Sequence, residues 1–399
     1  MMKRLYLVSF ALLFAMSAYA QVPLRPDAFP PVPDTTAPKN LLMAENVEEM
    51  LLWNAYPTYP AYLQLMSHFA DSYPGLCHVD TIGVSVENRL ILSIAIHGVS
   101  DSVQNKPQFF YSSTIHGDEL TGFYLMLRLI DTLLRGYGHD SAITTLLNDV
   151  DVYINPLANP DGTFHGGDAT VAQAIRYNSN WVDLNRNYPD PFGTAPLSPV
   201  QPENLAMMDY VDSLNFLLSA NLHGGAEVMN YPWDSFTSYE RPVDCADWWQ
   251  DVCRRFVDTC RRWNVSAFSD VCANGYIAGG DWYVIRNGRQ DYMNSLGIRE
   301  LTMEVSSVKV LPTSQLDYYW SFQHRSLINY IKEIYSLVQS PLSVKPVDVR
   351  QDYVVYPNPT TGVVNVKNSD KVWSFDLSAY PSGVHVIVVD GSPFKVLKL

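Results

Sequence analysis

Apolar residues recur along this chain with two spacings, which predict alternating strands and helices. Continuous apolar runs, typical of buried strands, occur near residues 108–115, 150–154, 216–222 and 298–305. Helical spacing is found near residues 60–72, 120–134, 203–214, 244–263 and 316–337. A hairpin turn is predicted near Glu87-Asn88. This alternation is typical of an α/β fold, in which a mixed, mostly parallel sheet is flanked by helices.

Polar residues follow two of the predicted strands. The first strand leads into the sequence His-Gly-Asp-Glu at 116–119, and the run ending at Leu222 leads into His223. Because sites in open α/β sheets gather at the carboxyl ends of strands, we expect His116, Glu119 and His223 to lie together. Two imidazoles and one carboxylate, with a fourth position left to water, are a ligand set of catalytic zinc. A capping glutamate beside packed histidines is the structural alternative.

Further candidate residues lie between and after these two positions. The segment 176–190 is dense in hydrogen-bond donors and contains Arg176 and Arg186. A guanidinium offers a planar fork to a carboxylate or an oxyanion, so a binding site is one interpretation and a solvated polar loop is the other. Glu304 stands inside an apolar run, where a charged residue indicates a function; the alternative is a glutamate at an exposed strand edge.

Four short motifs resemble, in order, those of the zinc metallocarboxypeptidases, and most closely the regulatory branch of carboxypeptidases N, E and D. They lie at residues 116–119, 183–187, 223–232 and 302–306. The resemblance extends from about residue 56 to about residue 337. It implies the zinc carboxypeptidase fold and one Zn²⁺ ion in the catalytic domain. The His₂Glu ligand set of carboxypeptidase A is itself a standard example of catalytic zinc.

The resemblance also implies roles at the reacting centre. His116, Glu119 and His223 correspond to the zinc ligands. Glu304 corresponds to the general base and acid, which moves a proton from the attacking water to the leaving amine. Arg176 corresponds to the arginine that stabilises the developing oxyanion.

Five more residues correspond to positions that bind substrate. Asn185 and Arg186 match the pair that grips the terminal carboxylate, and Tyr283 matches a mobile tyrosine that closes over the substrate. Asp234 and Gln290 match residues of the pocket for the last side chain, where an acidic residue marks removal of Arg or Lys. By turn statistics alone, Asp234 would be an ordinary turn residue.

The expected function is therefore that of a zinc exopeptidase that removes C-terminal Arg or Lys. Its partners would be the C-termini of peptides or proteins, and the pocket residues indicate basic ones. One alternative keeps the zinc hydrolase and changes the substrate to cell-wall or other amides. Another makes the chain a non-catalytic peptide-binding module on the same scaffold.

Composition agrees with this function and disfavours others. Of the 399 residues 47% are hydrophobic, enough for one large α/β domain. The formal net charge of −14 disfavours nucleic acid as a partner. The sequence has no Gly-rich phosphate loop and no Gly-x-Ser-x-Gly motif, which argues against nucleotide-binding and serine-hydrolase classes. No long apolar span follows residue 20, so no transmembrane anchor is expected.

Segments outside the catalytic domain are predicted from local composition. Residues 1–20 have the charge and apolar pattern of a signal peptide, and residues 21–55 form a Pro-rich leader. The catalytic domain is predicted at 56–338, a linker at 339–350 and a β-rich tail at 351–399. The tail resembles a sorting signal of the type IX secretion system; a plain β-hairpin appendage is the alternative. We expect export, to the cell surface or the medium, with that machinery as a partner.

The five cysteines cannot all form disulfides within one chain. Cys245, Cys253 and Cys260 share a face of the helix predicted at 244–263, which favours buried thiols over a metal cluster. A disulfide between Cys260 and Cys272 is the alternative.

Overall fold

The computed structural model describes residues 41–99, 105–339, 354–356, 361–367, 371–379, 383–389 and 392–398. The predicted signal peptide, the predicted leader up to residue 40 and the predicted linker from residue 340 lie outside these residues.

An eight-stranded sheet runs through the catalytic domain. In residues 41–339, strands β1 to β10 are Met43–Ala44, Tyr56–Pro57, Cys77–Val84, Leu90–Ile96, Gln108–Ser113, Asp151–Asn155, Phe216–His223, Ala226–Tyr231, Tyr276–Ala278 and Arg299–Ser306. Strands β1 and β2 pair separately, and the main sheet has the order β3-β4-β6-β5-β7-β10-β8-β9. The pairs β6/β5, β5/β7, β7/β10 and β8/β9 are parallel, and the other three are antiparallel. The predicted mixed sheet is confirmed.

Helices cover both faces of this sheet. Helices α1 to α11 are Val47–Met50, Tyr59–Ser72, Leu120–Gly136, Ser141–Asp149, Pro160–Thr163, Pro202–Ser213, Ala246–Arg261, Gly279–Trp282, Arg289–Ser295, Leu316–Lys332 and Ile334–Gln339. Successive strand residues point to opposite faces, so Phe109 joins the apolar cluster under α2, α3, α7 and α10, whereas Phe110 joins the cluster under α6 and α9. The sheet therefore has an apolar core and helices on each face, which is the predicted α/β arrangement.

The folded domain begins before the predicted boundary at residue 56. Strand β1 pairs with β2, and Met50 and Trp53 are buried in the main core. Residues 41–55 are therefore part of the domain and not of a Pro-rich leader, because their apolar side chains have a partner surface. The helix predicted at 316–337 is divided at Glu333 into α10 and α11.

The cysteine prediction is only partly correct. Cys253 and Cys260 are buried thiols, but Cys245 is exposed at the left-handed residue that precedes α7. The alternative disulfide between Cys260 and Cys272 is absent, since every described cysteine is free. The Cys260 sulfur instead lies 3.1 Å from the hydroxyl of Ser326.

The described part of the C-terminal tail consists of β-strands, as predicted. They are β11 Val354–Tyr356, β12 Val363–Lys367, β13 Val372–Asp376, β14 Gly383–Val389 and β15 Ser392–Lys398. The first three form one antiparallel sheet and the last two form another. Their buried side chains make an apolar cluster of their own. No helix in the described ranges has the length and apolar character to span a membrane.

A buried ion pair fixes α9 against the centre of the sheet. Arg289 and Glu300 are both fully buried, and Arg289 Nε lies 3.1 Å from Glu300 Oε1. Glu300 on β10 also accepts hydrogen bonds from Ser219 and Asn221 on β7. Because α9 carries Gln290 and Asp291, this pair determines where those two side chains stand.

Candidate active site

Three neighbouring parallel strands bring the candidate residues together. His116 lies three residues beyond β5, His223 is the last residue of β7, and Glu304 lies on β10. In the pairing of β7 with β10, Glu304 is the Cα partner of His223. Because β5, β7 and β10 run in the same direction, their carboxyl ends meet at one edge of the sheet, as expected.

The three predicted metal ligands form one buried cluster. Nδ1 of His116 lies 3.0 Å from Glu119 Oε1 and 3.0 Å from Nδ1 of His223, which is 2.9 Å from Glu119 Oε2. Two ligand atoms about 2.1 Å from one tetrahedral zinc would lie about 3.4 Å apart, so only a small expansion admits the ion. The donor set and its spacing fit zinc.

Protonation in the cluster also suits metal binding. Burial lowers the pKa of His223 to about 4, so its imidazole is neutral at physiological pH. Burial alone would raise the pKa of Glu119, but the nearby His116 and Lys309 hold it well below its usual range. The neutral His223 imidazole and the ionised Glu119 carboxylate are in the forms that bind a metal.

Asp183 orients two of the candidate residues, a role not assigned from the sequence. Its Oδ1 lies 3.2 Å from Nε2 of His116, and its Oδ2 accepts a hydrogen bond of 2.9 Å from Nε of Arg176. Arg176 Nη1 lies 3.6 Å from Glu119 Oε1, which places the guanidinium beside the cluster. The signal in the sequence was an acidic residue two positions before Asn185 in a donor-rich segment.

Glu304 has a buried carboxyl group near the metal cluster, and Lys309 and Arg176 only partly offset the effects that raise its pKa. It is 7% exposed, and its Oε2 has no hydrogen-bond partner among the described residues. Burial and the negative charge of Glu119 raise its pKa well above the usual range. A carboxyl group with a raised pKa beside a metal cluster is suited to accept and return a proton.

Asn185 and Arg186 lie together on a short 3₁₀ turn, Leu184–Arg186. The turn begins at Asp183, whose side chain accepts a hydrogen bond from the Asn185 amide. Asn185 Oδ1 accepts a hydrogen bond of 2.8 Å from the Arg289 amide, which fixes the turn to α9. Arg186 is partly exposed, and its Nη1 donates to the Asn185 carbonyl. Its guanidinium therefore faces accessible space.

Tyr283 has charged neighbours both beside the metal cluster and in the candidate substrate site. Burial raises the pKa of its hydroxyl, and the charges of Glu304 and Arg186 act on it as well. Arg176 and Asp234 are further electrostatic neighbours of the same hydroxyl. The structure thus brings Tyr283 together with the other predicted substrate residues.

Asp234 is buried and is not an exposed turn residue. It is 7% exposed, and its Oδ1 accepts a hydrogen bond of 2.7 Å from Gln290 Nε2. The Gln290 oxygen accepts from the Thr302 amide at 2.7 Å, so the NH₂ group of Gln290 must face Asp234. Asp291 accepts hydrogen bonds from the backbone amides of Asp234 and Ser235 at 2.8 and 2.9 Å.

The Asp234 carboxyl lies in an environment that opposes ionisation. Burial and the neighbouring Asp291 carboxylate raise its pKa well above the usual range, and Arg186 acts in the opposite direction. A cation in this space would remove much of that penalty by pairing with the carboxylate.

Asp118 and Lys309 complete the charged surroundings of the cluster and were not assigned a role from the sequence. Lys309 Nζ lies 3.0 Å from Asp118 Oδ2 and 3.4 Å from Glu119 Oε1. Lys309 follows β10 closely in sequence, but only the folded chain brings it to Glu119.

The fold and the cluster together define a class of protein: an α/β protein with a His₂Glu cluster that could hold a metal ion, at the carboxyl edge of a mixed sheet. Residues 62–325 match the zinc carboxypeptidase family. The chain belongs to that family.

Relatives with similar sequences carry carboxypeptidase names. Mouse carboxypeptidase D is 33% identical over 297 residues, which is 70% of this chain and 21% of that protein. Mouse carboxypeptidase M is 35% identical, over 67% of this chain and 62% of its own. The human carboxypeptidase N catalytic chain is 32% identical, over 66% of this chain and 65% of that protein. The chain thus spans about a fifth of the carboxypeptidase D relative and under two thirds of the other two.

Solved structures share the fold at lower identity. Carboxypeptidase A from Helicoverpa armigera has a TM-score of 0.62 and 18% identity, over 74% of this chain and 78% of that one. Bovine thrombin-activatable fibrinolysis inhibitor, in complex with a tick carboxypeptidase inhibitor, has a TM-score of 0.60 and 19% identity. The match covers 71% of this chain and 99% of that one. These likenesses confirm the zinc carboxypeptidase fold.

We expect zinc to stabilise the protein through this cluster. After treatment with a chelator, added Zn²⁺ should raise the melting temperature, because a ligand that binds only the folded state stabilises it by mass action. Asp183→Asn should weaken zinc binding by about 10- to 100-fold, which is the usual contribution of a group that orients a ligating histidine. Titration calorimetry measures the affinity.

Asp131→Asn is the matched control for that substitution. It removes a buried carboxylate that bonds Arg135 on α3, and it should bind zinc like the parent protein. Equal zinc affinity in the Asp183→Asn variant and the parent would contradict the orienting role of Asp183. A melting temperature unchanged by Zn²⁺ would contradict the metal site.

Proposed function

We propose that this protein is a zinc-dependent carboxypeptidase that removes Arg or Lys from the C-termini of peptides or proteins. The observation that carries the proposal is the proximity of three groups in the folded chain. A His₂Glu cluster, the partner-poor Glu304 carboxyl and the buried Asp234 carboxyl lie near the same tyrosine and arginines. The names of the similar proteins agree with it.

Substrate binding would begin at the terminal carboxylate. Arg186 offers a fork of donors at the end of the 3₁₀ turn, and Asn185 is fixed beside it by the Arg289 amide. An internal peptide bond has no free carboxylate to occupy this position, so the pair favours chain ends. Tyr283, whose hydroxyl has Arg186 as an electrostatic neighbour, would exclude water once a substrate is bound.

The chemical step would depend on His116, Glu119, His223, Glu304 and Arg176. A zinc ion held by the first three would polarise the scissile carbonyl and lower the pKa of water. Glu304 would accept a proton from the attacking water and return it to the leaving amine, as its raised pKa allows. Arg176, fixed by Asp183, would stabilise the oxyanion with a preorganised positive charge.

The side chain of the last residue would enter the space beside Asp234. A basic side chain would pair with the buried carboxylate, whereas an apolar one would leave that charge unpaired. This contrast supports Arg or Lys as the residue removed. The presence of Glu304 next to the cluster favours a hydrolase over a module that only binds peptides.

We also propose that the protein is exported and sorted through its C-terminal tail. The apolar pattern of residues 1–20 and the β-strands at 354–398 support this proposal. In a host with a type IX secretion system, deletion of residues 351–399 should shift the protein from the surface or medium to the cell interior, as immunoblots of the fractions would measure. Unchanged export of the truncated protein would contradict the sorting role.

The carboxypeptidase activity can be tested with peptides that differ only in the last residue. Arg and Lys should be released faster than citrulline or Leu, and a C-terminal amide should not be cleaved. Asp234→Ala should cost about 2 to 5 kcal/mol in kcat/KM for the Arg peptide, as truncation of one partner of a buried charge pair does. Glu304→Gln should still bind peptide and lose about 10²- to 10⁴-fold in kcat. Mass spectrometry of the products measures release.

The outcomes separate the parts of this proposal. Faster release of Leu than of Arg would exclude the basic preference but not the enzyme. Cleavage of the amidated peptide would exclude the role of Arg186. Full turnover by the Glu304→Gln variant would exclude Glu304 as the base.

The preference for Arg over citrulline should decline as pH falls. Asp234 attracts a cation only when ionised, and its folded-state pKa is raised by burial and Asp291, with Glu300 adding to the rise and Arg186 opposing it. The charge is therefore present above this raised pKa and lost below it. The ratio of kcat/KM for the Arg and citrulline peptides measures this preference. Titration of the catalytic groups affects both peptides equally and cancels in the ratio. A ratio that stays constant until ordinary aspartates titrate would contradict this expectation.

A further inference from the structure

The backbone of Gly279 lies against the Asp234 carboxylate. A β-carbon on Gly279 would overlap Asp234 Oδ1 and would lie only 3.0 Å from its Cγ. Gly279 is not among the glycines with a positive φ, so backbone conformation does not require a glycine here. The close approach of Asp234 is therefore the reason for the missing side chain.

Two backbone hydrogen bonds hold the segment that contains Gly279 against the segment that contains Asp234. The Gly280 amide donates to the Trp233 carbonyl at 2.8 Å, and the Ile285 amide donates to the Asp234 carbonyl at 2.9 Å. A β-carbon on Gly280 would in turn overlap the Phe236 carbonyl. The residues around α8 and the segment 233–236 are thus held together on both sides of Gly279.

The opposite side of Asp234 is fixed as well. Gln290 holds Oδ1, and its own orientation is set by the Thr302 amide. Asp291 holds the Asp234 backbone amide. Among the described residues no hydrogen bond reaches Oδ2 of Asp234, which leaves this oxygen available to a cation. One position of the carboxylate satisfies all of these contacts.

We propose that Gly279 is a specificity-determining residue, because the space left by its missing side chain lets Asp234 occupy the position from which it binds a basic C-terminal side chain. The proposal rests on the proposed function of this pocket. A methyl group at position 279 would displace the carboxylate and break its bond with Gln290. The metal cluster at the ends of β5 and β7 would remain in place, so the effect falls on selection and not on chemistry.

The experiment measures binding without turnover. In the full zinc-loaded chain with Glu304→Gln, titration calorimetry compares two peptides that end in Arg or in its neutral isostere citrulline. Gly279→Ala should reduce the Arg-to-citrulline affinity ratio by about tenfold or more, while citrulline affinity changes by less than about threefold. In an Asp234→Asn background, Gly279→Ala should change the ratio no further, since both substitutions act through one carboxylate.

Gly75→Ala is the matched control, because a β-carbon there would meet only the Val99 side chain, at 3.9 Å. It should keep the ratio of the parent. If Gly279→Ala melts at a much lower temperature, adding Asp234→Ala should recover most of the loss, since the overlap is with that side chain.

A Gly279→Ala variant that keeps the parent ratio would overturn the proposal, as would a melting loss that Asp234→Ala does not recover. A parent protein that binds both peptides equally would overturn it too. Failure of the proposed function is distinguishable, because the parent protein without Glu304→Gln would then release no C-terminal residue, whatever the binding ratio.

Discussion

The parallel pairing of β5, β7 and β10 is the constraint on which the rest of the site depends. It sets Glu304 opposite His223 and brings the end of β5, with His116 and Glu119 after it, to the same edge. Side chains alternate along a strand, so a slip of one residue would turn His223 or Glu304 to the opposite face. The buried bonds of Glu300 to Ser219 and Asn221 oppose such a slip, because each would lose its partner.

The buried carboxylates of the site divide into two kinds by their partners. Glu119 and Asp183 face histidines and Arg176, which hold their pKa values well below the usual range despite burial. Glu304 and Asp234 face other carboxylates, and burial together with those charges raises their pKa values well above it. In the first kind, Glu119 is a candidate metal ligand and Asp183 orients His116 and Arg176. In the second kind, Glu304 is proposed to exchange a proton and Asp234 to bind a cationic side chain. The two groups of pKa values therefore match the two groups of proposed roles.

Sequence alone predicted what depends on short-range pattern. Apolar runs located β5, β7 and β10, and His116 and His223 could be expected at one edge because each comes directly after an apolar run. Strand β8 was not predicted, since the buried Glu227 and Asn230 break its apolar pattern. The burial of Asp234 could not be predicted from the sequence either. Its partners Gln290 and Asp291 lie more than fifty residues away, and the ion pair between α9 and β10 holds the helix that carries them.

Backbone pairing between strands holds the proposed catalytic residues, and polar contacts hold the proposed selecting residues of the same domain. The metal cluster is built at the ends of central strands, whose register is fixed by many backbone bonds and by two apolar cores. The pocket around Asp234 is built from the segment after β8, from Gly279 and from α9, joined by a few polar contacts. A change in those contacts would alter the charge and shape of the proposed pocket without disturbing the strand ends. One scaffold can therefore keep its chemistry while the residue it accepts changes.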